Sequence, residues 1–315
     1  MKSAIVSIVT TIALAALSGP LSTASATPAG HACSQTTRSA FTACQYDNLD
    51  NFWIADGKCR NITDSGDRED CFKENRAALK EGRKSCGEVR AARADLCDDL
   101  GEAPYDPAFE PSQFVNPADI GGSVAPNPYF PLIRGRSMIY RSATENVTVT
   151  ITNEVKLIAG VPCAVVLDNV VENGHLTEGT TDWFAQDIHG NVWYCGENTE
   201  EFVDGLPSNL AGSFQAGTDG AKPGIIMKAA PMVGDVYRQE FDLGNAEDAA
   251  EIVSLTGSAT TPAATCASTC LVTEETTALE PDALESKFYK AGVGFILQIN
   301  ANTGARSELV QIIDP

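Results

Sequence analysis

The side chains of this 315-residue sequence that could do chemistry are ten cysteines, three histidines and a large surplus of carboxylates. The cysteines fall into two groups, at 33, 44, 59, 71, 86 and 97 and at 163, 195, 266 and 270. A cysteine metal site favours short C-x2-C spacings, and none occurs. Cys266-Ala-Ser-Thr-Cys270 reads either as a copper or redox pair or, in an oxidising compartment, as part of two structural bridges among Cys163, Cys195, Cys266 and Cys270; the bridges are the favoured reading. His31 lies close to the N-terminus, and His175 and His189 fall at expected hairpin tips, where a solvated turn histidine is the default. There is no G-x-S-x-G elbow, no H-E-x-x-H, no Walker loop and no G-x-G-x-x-G after a strand.

Carboxylates are the remaining reactive class. With 42 acidic against 22 basic residues the formal charge is −20, which excludes a basic nucleic-acid surface and repels phosphate and anionic lipid. The run Asp64-Ser-Gly-Asp67-Arg-Glu69-Asp70 lacks the register of a twelve-residue calcium loop and reads as an exposed tip leading into a helix. Glu247, Asp248 and Glu251 read as solvating a turn and a strand entry, or as supplements to a cation site. The sharpest pair is Asp182 and Glu197. If they face each other across a hairpin, a Ca²⁺-type cation or a shared proton would relieve their repulsion, with Gln186 and Trp193 shaping a ligand pocket. No cofactor is obligatory, and Ca²⁺ is the one expected candidate.

The elements that must position these residues begin with a leader. Lys2, the apolar run 4–17, Gly19-Pro20 and Ala24-Ser25-Ala26 form a signal-peptide pattern over 1–26, with cleavage before Thr27. The product is expected to be secreted or periplasmic, without a transmembrane anchor. In the first six cysteines the spacings 11, 15, 12, 15 and 11 are palindromic, and pairing from outside inward gives Cys33 with Cys97, Cys44 with Cys86 and Cys59 with Cys71, each pair summing to 130. A constant sum is the signature of an antiparallel pair, here a helical hairpin over 27–101 turning near Ser65-Gly66. No proline interrupts 29–103, and 67–100 is rich in helix-forming residues with Gly101 as a stop. In architecture only, the pattern resembles the twin-cysteine hairpins of coiled-coil-helix proteins, which use nine intervening residues where this chain has ten.

Residues 102–126, with repeated prolines and Gly121-Gly122, read as a connector in which stiffness is favoured. From 127 to 315 the periodicity becomes two. Strands are expected at 147–152, 161–171, 180–187, 191–195, 236–241, 251–255, 270–276, 284–289, 295–299 and 307–313, with turns at Asn173-Gly174, His189-Gly190 and Asn302-Thr303-Gly304. The fold class is therefore α+β, a disulfide-stapled antiparallel helical hairpin followed by a curved or partly closed antiparallel β-sheet domain. A loop centred on His189-Gly190 sets Asp182 against Glu197, Phe184 against Cys195, Gln186 against Trp193 and Asp187 against Val192. By residue type alone, the favoured reading puts the two carboxylates at solvated strand ends.

Asn127-Pro128-Tyr129-Phe130-Pro131-Leu132, Gly160-Val161-Pro162-Cys163, Asp182-Trp183-Phe184-Ala185-Gln186-Asp187, Gly190-Asn191-Val192-Trp193-Tyr194, 223–227, 237–240 and Gly292-Val293-Gly294 resemble the landmarks of a group of secreted bacterial proteins of unknown function. The resemblance spans about 127–299 and implies a secreted β-domain without supplying an activity. Cys195 and Cys270 stand where that group is expected to carry apolar or aromatic residues, so a bridge particular to this chain is expected and no pairing of Cys163 is carried over. The functional expectation is a non-catalytic binding or cell-envelope interaction protein with its ligand, a small molecule, glycan or envelope protein, on the concave face of the β-domain. An extracellular hydrolase or lyase using carboxylates and a subunit of an extracellular assembly are the alternatives.

Overall fold

The computed structural model describes residues 30–315, so the expected leader and its cleavage site lie outside the described residues. Helix α1 (Ala32–Arg60) and helix α2 (Ser65–Leu100) form the antiparallel hairpin. Disulfides join Cys33 to Cys97, Cys44 to Cys86 and Cys59 to Cys71, the nested pattern that the constant index sum requires. Asp64 caps α2 by accepting from the backbone N–H groups of Gly66 and Asp67 at 2.7 and 3.0 Å. Few side chains of the two helices are buried: Thr37, Cys59, Asn75, Cys86 and Cys97, with Arg93 covered by the β-domain. Cystines stand in for a core that two such polar helices cannot build.

Fifteen strands follow: β1 (Ser137–Arg141), β2 (Glu145–Ile158), β3 (Val161–Glu172), β4 (His175–Gln186), β5 (Val192–Val203), β6 (Leu206–Asn209), β7 (Phe214–Gln215) and β8 (Lys222–Met227); then β9 (Val236–Arg238), β10 (Glu240–Phe241), β11 (Asp248–Thr260), β12 (Thr265–Thr277), β13 (Glu280–Lys290), β14 (Gly294–Asn300) and β15 (Arg306–Ile313). They make one antiparallel sheet in the order β10-β8-β5-β4-β3-β2-β1-β15-β14-β13-β12-β11-β9, with β6 and β7 branching from β5. The ladder is not closed, yet its two ends are consecutive pieces of one segment. Residues 236–238 pair with β11, residues 240–241 pair with β8, and Gln239 between them donates its backbone N–H to the Asp248 carbonyl at 2.8 Å. At this seam Gly224 is required, because a Cβ there would collide with the Gln239 carbonyl.

Both faces of the central strands are covered. In β3, Val161, Cys163 and Val165 point outward under the connector, whose Phe109 and Phe114 pack on them with Trp183, Ala185 and Cys195. Val166 points inward with Leu132, Ile151, Phe184, Tyr194, Ile252 and Tyr289. The proline-rich connector is ordered: Pro111–Gln113 and Pro117–Asp119 are single 3-10 turns, Val115 N–H donates to the Gln186 carbonyl, and Ile188 N–H donates to the Gln113 carbonyl. The second cysteine group pairs Cys163 with Cys195 and Cys266 with Cys270. The first bridge spans β4 on the outer face, and the second closes a bulge in β12, where Ser268 has a positive φ of 55°. Among the described residues no helix is long and apolar enough to cross a membrane. Five disulfides belong with an oxidising compartment.

The hairpin is anchored by its open end. Ala32 N–H donates to the Glu102 carbonyl at 2.9 Å, and Ser34 N–H donates to the Glu102 carboxylate at 3.0 Å. From α2, Arg93 grips Glu247 with two charge-assisted hydrogen bonds, Nε to Oε2 at 2.8 Å and Nη2 to Oε1 at 2.5 Å. Glu247 is 1 % exposed, which overturns the expectation that it solvates a turn.

Candidate ligand cavity

Strand alternation turns one side chain in two toward the concave face, and in this sheet many of those inward positions are acidic. They line a partly open cavity of about 740 Å³. Nine carboxyl side chains line it, from Glu145, Asp168, Glu178, Asp182, Glu197, Glu240, Asp248, Glu275 and Glu285, against one cation, Lys287. Lys287 is already spoken for by Glu275, Nζ to Oε2 at 2.6 Å, while Glu275 Oε1 accepts from Tyr289 Oη at 3.1 Å and Thr273 Oγ1 at 2.9 Å. Apolar and aromatic walls complete the space, including Phe130, Val166, Phe184, Phe295 and Tyr140.

Asp182 and Glu197 face each other across β4 and β5, as the hairpin register predicts. They are not solvated strand ends. Asp182 is 8 % exposed, and Tyr194 Oη lies between the pair, 2.5 Å from Asp182 Oδ1 and 2.7 Å from Glu197 Oε2. One phenol carries one hydrogen, so both contacts are satisfied together when one carboxyl is protonated and donates to the phenol oxygen. Burial pushes the Asp182 pKa well up, against the Tyr194 hydrogen bond and with help from Glu197, Asp168 and Glu178. Burial likewise raises Glu197 to about 7, and raises Asp168 to about 7 with added repulsion from Glu178 and Glu197. Glu240 and Asp248 are also raised, chiefly by burial. For Lys287 burial acts downward, but Glu275, Glu285 and Asp248 outweigh it and leave its pKa raised.

Nearer the turn the register differs from the expected one. Phe184 pairs with Tyr194 and Gln186 with Val192, because Cys195 is an extra residue, a bulge between Trp183–Gly196 and Phe184–Tyr194. The bulge shifts the parity of β5, so Tyr194 and Glu197 both face inward while Trp193 and Cys195 face out. Gly196 makes this possible: its φ is +140°, and a Cβ there would meet the Phe214 carbonyl. Gln186 and Trp193 therefore do not line the acidic cavity. Gln186 is a buried clamp, its Oε1 accepting from Asn127 N–H and its Nε2 donating to the Ala125 carbonyl, both at 2.9 Å. Trp193 packs against Phe109 and Phe114 and donates Nε1–H to Asp187 at 2.9 Å. Asp187 also accepts from the backbone N–H groups of His189 and Asn191. Several sequence landmarks are thus accounted for by turn and clamp chemistry. All three histidines are exposed and none lines the cavity.

Two polar atoms of the cavity lining have no hydrogen-bond partner among the described residues, Gln239 Nε2 and Asp168 Oδ1. Gln239 is 3 % exposed and sits at the seam of the sheet. The sequence singles out Asp182 and Glu197, offers Asp248 only as a supplement to a cation site, and does not mark the other six carboxyls, Tyr194 or Gln239. The signal for Asp168 was available, since Val166, Asp168 and Val170 share one face of a two-residue period. No family model, no curated protein and no solved structure matches this chain.

Proposed function

We propose that this chain is a secreted, non-catalytic binding protein and that the acidic interior of its β-domain holds a small organic cation, a protonated amine with an apolar body. The observation that carries this reading is the nine-to-one excess of carboxyls over cations around one concave cavity. Burying like charges together is unfavourable unless a counter-charge or protons accompany them, and an ammonium group supplies both charge and donors. The unpartnered acceptor Asp168 Oδ1 suits an N–H donor, and the unpartnered donor Gln239 Nε2 suits an acceptor on the same guest. Aromatic faces at Phe184 and Tyr289 suit a cation or its methylene chain.

Calorimetric titration of the disulfide-intact protein with spermidine and with 1,8-diaminooctane is the test. Saturable binding is expected that tightens between about pH 6 and pH 8 as the carboxyls ionise, and that weakens at least about tenfold in Asp168→Asn. Absence of saturable binding by either amine, or binding indifferent to Asp168, would refute the reading. Ca²⁺ is the other occupant for Asp182 and Glu197. It is separated by the melting temperature: a rise with about 1 mM Ca²⁺ that Asp182→Asn with Glu197→Gln abolishes assigns the pair to a metal.

A carboxylate hydrolase or lyase is the second reading, favoured by one observation, that Asp182 and Glu197 share the hydroxyl of Tyr194 with their pKa values raised. It requires a substrate whose turnover falls in both Asp182→Asn and Glu197→Gln while its binding survives.

A further inference from the structure

A second cavity, of about 820 Å³, lies between the open end of the helical hairpin, the first residues of the connector and the outer face of the sheet seam. Alternation within the seam segment sends Gln239 inward to the acidic cavity and Arg238 outward to this one. Arg238 is 7 % exposed. Its guanidinium makes no hydrogen bond or ion pair with any described residue, and its Nη1 is fully buried without a partner. The guanidinium stands over the rings of Phe241, 4.5 Å from the centroid, and Tyr105, 5.6 Å away.

None of the carboxylates in the lining forms an ion pair with it. Glu247 gives both oxygens to Arg93, and its Oε1 also accepts from Gly244 N–H at 2.7 Å. Asp242 accepts from the Asn245 side chain at 3.0 Å. Asp219 lines the same cavity and makes no ion pair with Arg238. A buried, hydrogen-bond-deficient guanidinium is costly, and its planar fork is matched by two oxygens in one plane. The rest of the wall is largely apolar, from Leu100, Pro104, Pro107, Ile225 and Val236.

We infer that this junction cavity is a second binding site, for a small carboxylate with an apolar body, whose carboxylate pairs with Arg238 and whose tail lies on the apolar wall toward the hairpin. The site is independent of the acidic cavity, and the two sites differ in the sign of the ligand charge they take.

The test is calorimetric titration of the full disulfide-intact chain with octanoate, its neutral isostere octanamide, and octyl phosphate. Octanoate is expected to bind saturably, and octanamide and octyl phosphate at least about tenfold more weakly. Arg238→Met is expected to erase the preference for octanoate over octanamide, with a melting temperature at or above that of the parent because it removes a buried unpaired charge. A readout that needs no variant is the transfer of magnetisation from octanoate methylenes to protein rings, expected at Tyr105 and Phe241. The inference is overturned by the absence of saturable octanoate binding, by equal binding of octanamide or octyl phosphate, by an Arg238→Met protein that folds and keeps the preference, or by contacts at Phe184 and Tyr289 in place of Tyr105 and Phe241.

Discussion

Raising the pH should weaken this protein when its interior is empty, the reverse of the usual behaviour of an acidic fold near neutrality. The perturbation is a pH rise from about 5 to about 8, and the responsible groups are the interior carboxyls. Asp168 goes from its ordinary 3.8 to about 7 on folding and Glu197 from 4.5 to about 7, mainly by burial. A carboxyl with a raised folded pKa binds its proton more tightly in the native state, so stability is fully present below the unfolded pKa and is lost as pH climbs to the folded one. For Asp168 the whole rise corresponds to ~4 kcal/mol, of which roughly 2–3 kcal/mol falls between pH 5 and pH 7. Glu197 contributes a similar amount over that interval. The two repel each other, so their joint effect is less than the sum. Asp64 and Glu102, whose pKa values are lowered by hydrogen bonds, act in the opposite direction but only at more acidic pH. Urea unfolding with all five disulfides intact, followed by tyrosine and tryptophan signals of the β-domain, measures the slope. Asp168→Asn should flatten it and stabilise the protein at about pH 8. Stability that is level or rising from pH 5 to pH 8, or an Asp168→Asn slope equal to the parent's, would refute the reasoning.

Three further perturbations test other parts of the structure. Arg93→Ala leaves Glu247 charged and buried at the hairpin junction and should cost ~3–5 kcal/mol, whereas Arg93→Met with Glu247→Leu should recover most of that loss in the same unfolding assay. Replacing Cys44 and Cys86 by Ala should lower hairpin stability by ~2–4 kcal/mol, read as faster amide exchange in α1 and α2 with the β-domain transition unmoved. Gly196→Ala places a Cβ against the Phe214 carbonyl at a positive φ and should cost at least ~1–3 kcal/mol, with a thermal shift well beyond that of Gly174→Ala at an open turn.

The hairpin was the most legible part of the chain because disulfide geometry ties sequence spacing directly to space. Three cystines with one index sum leave a single antiparallel alignment, and local helix propensity agrees with it. Most long strands were legible through their alternation. The short strands β6 and β7 were not, since a pairing segment of two to four residues carries no measurable period, while β9 and β10 were legible only as one run over 236–241. The candidate site was legible where the ladder is regular, at Asp182 opposite Glu197. It was lost two residues on, because a one-residue bulge at Cys195 inverts every later inside-outside assignment toward the turn. Nothing in residue type distinguishes Trp193, which faces the connector, from Tyr194, which faces the carboxylates; only the bulge does. The burial of Arg93, Glu247 and Arg238 was illegible for another reason: those side chains are buried by contacts between segments up to 154 residues apart, and no local pattern encodes such a contact.

The distribution of covalent and electrostatic terms gives the architecture a common logic. An interior built from inward carboxyls loses stability whenever those groups ionise together, and an isolated curved sheet would relieve the strain by opening at its weakest pairing. In this sheet that place is the seam, where β9 and β10 together supply only five paired residues between β11 and β8. The reinforcement is placed accordingly. Cys163–Cys195 ties the outer face beside the acidic pair, Gly224 lets the chain approach closely at the seam, and the hairpin rests on the residues flanking it through Arg93 and Glu247. The helical hairpin thus rests on the β-domain beside its least-paired stretch, and three cystines give rigidity to an arm with almost no core of its own.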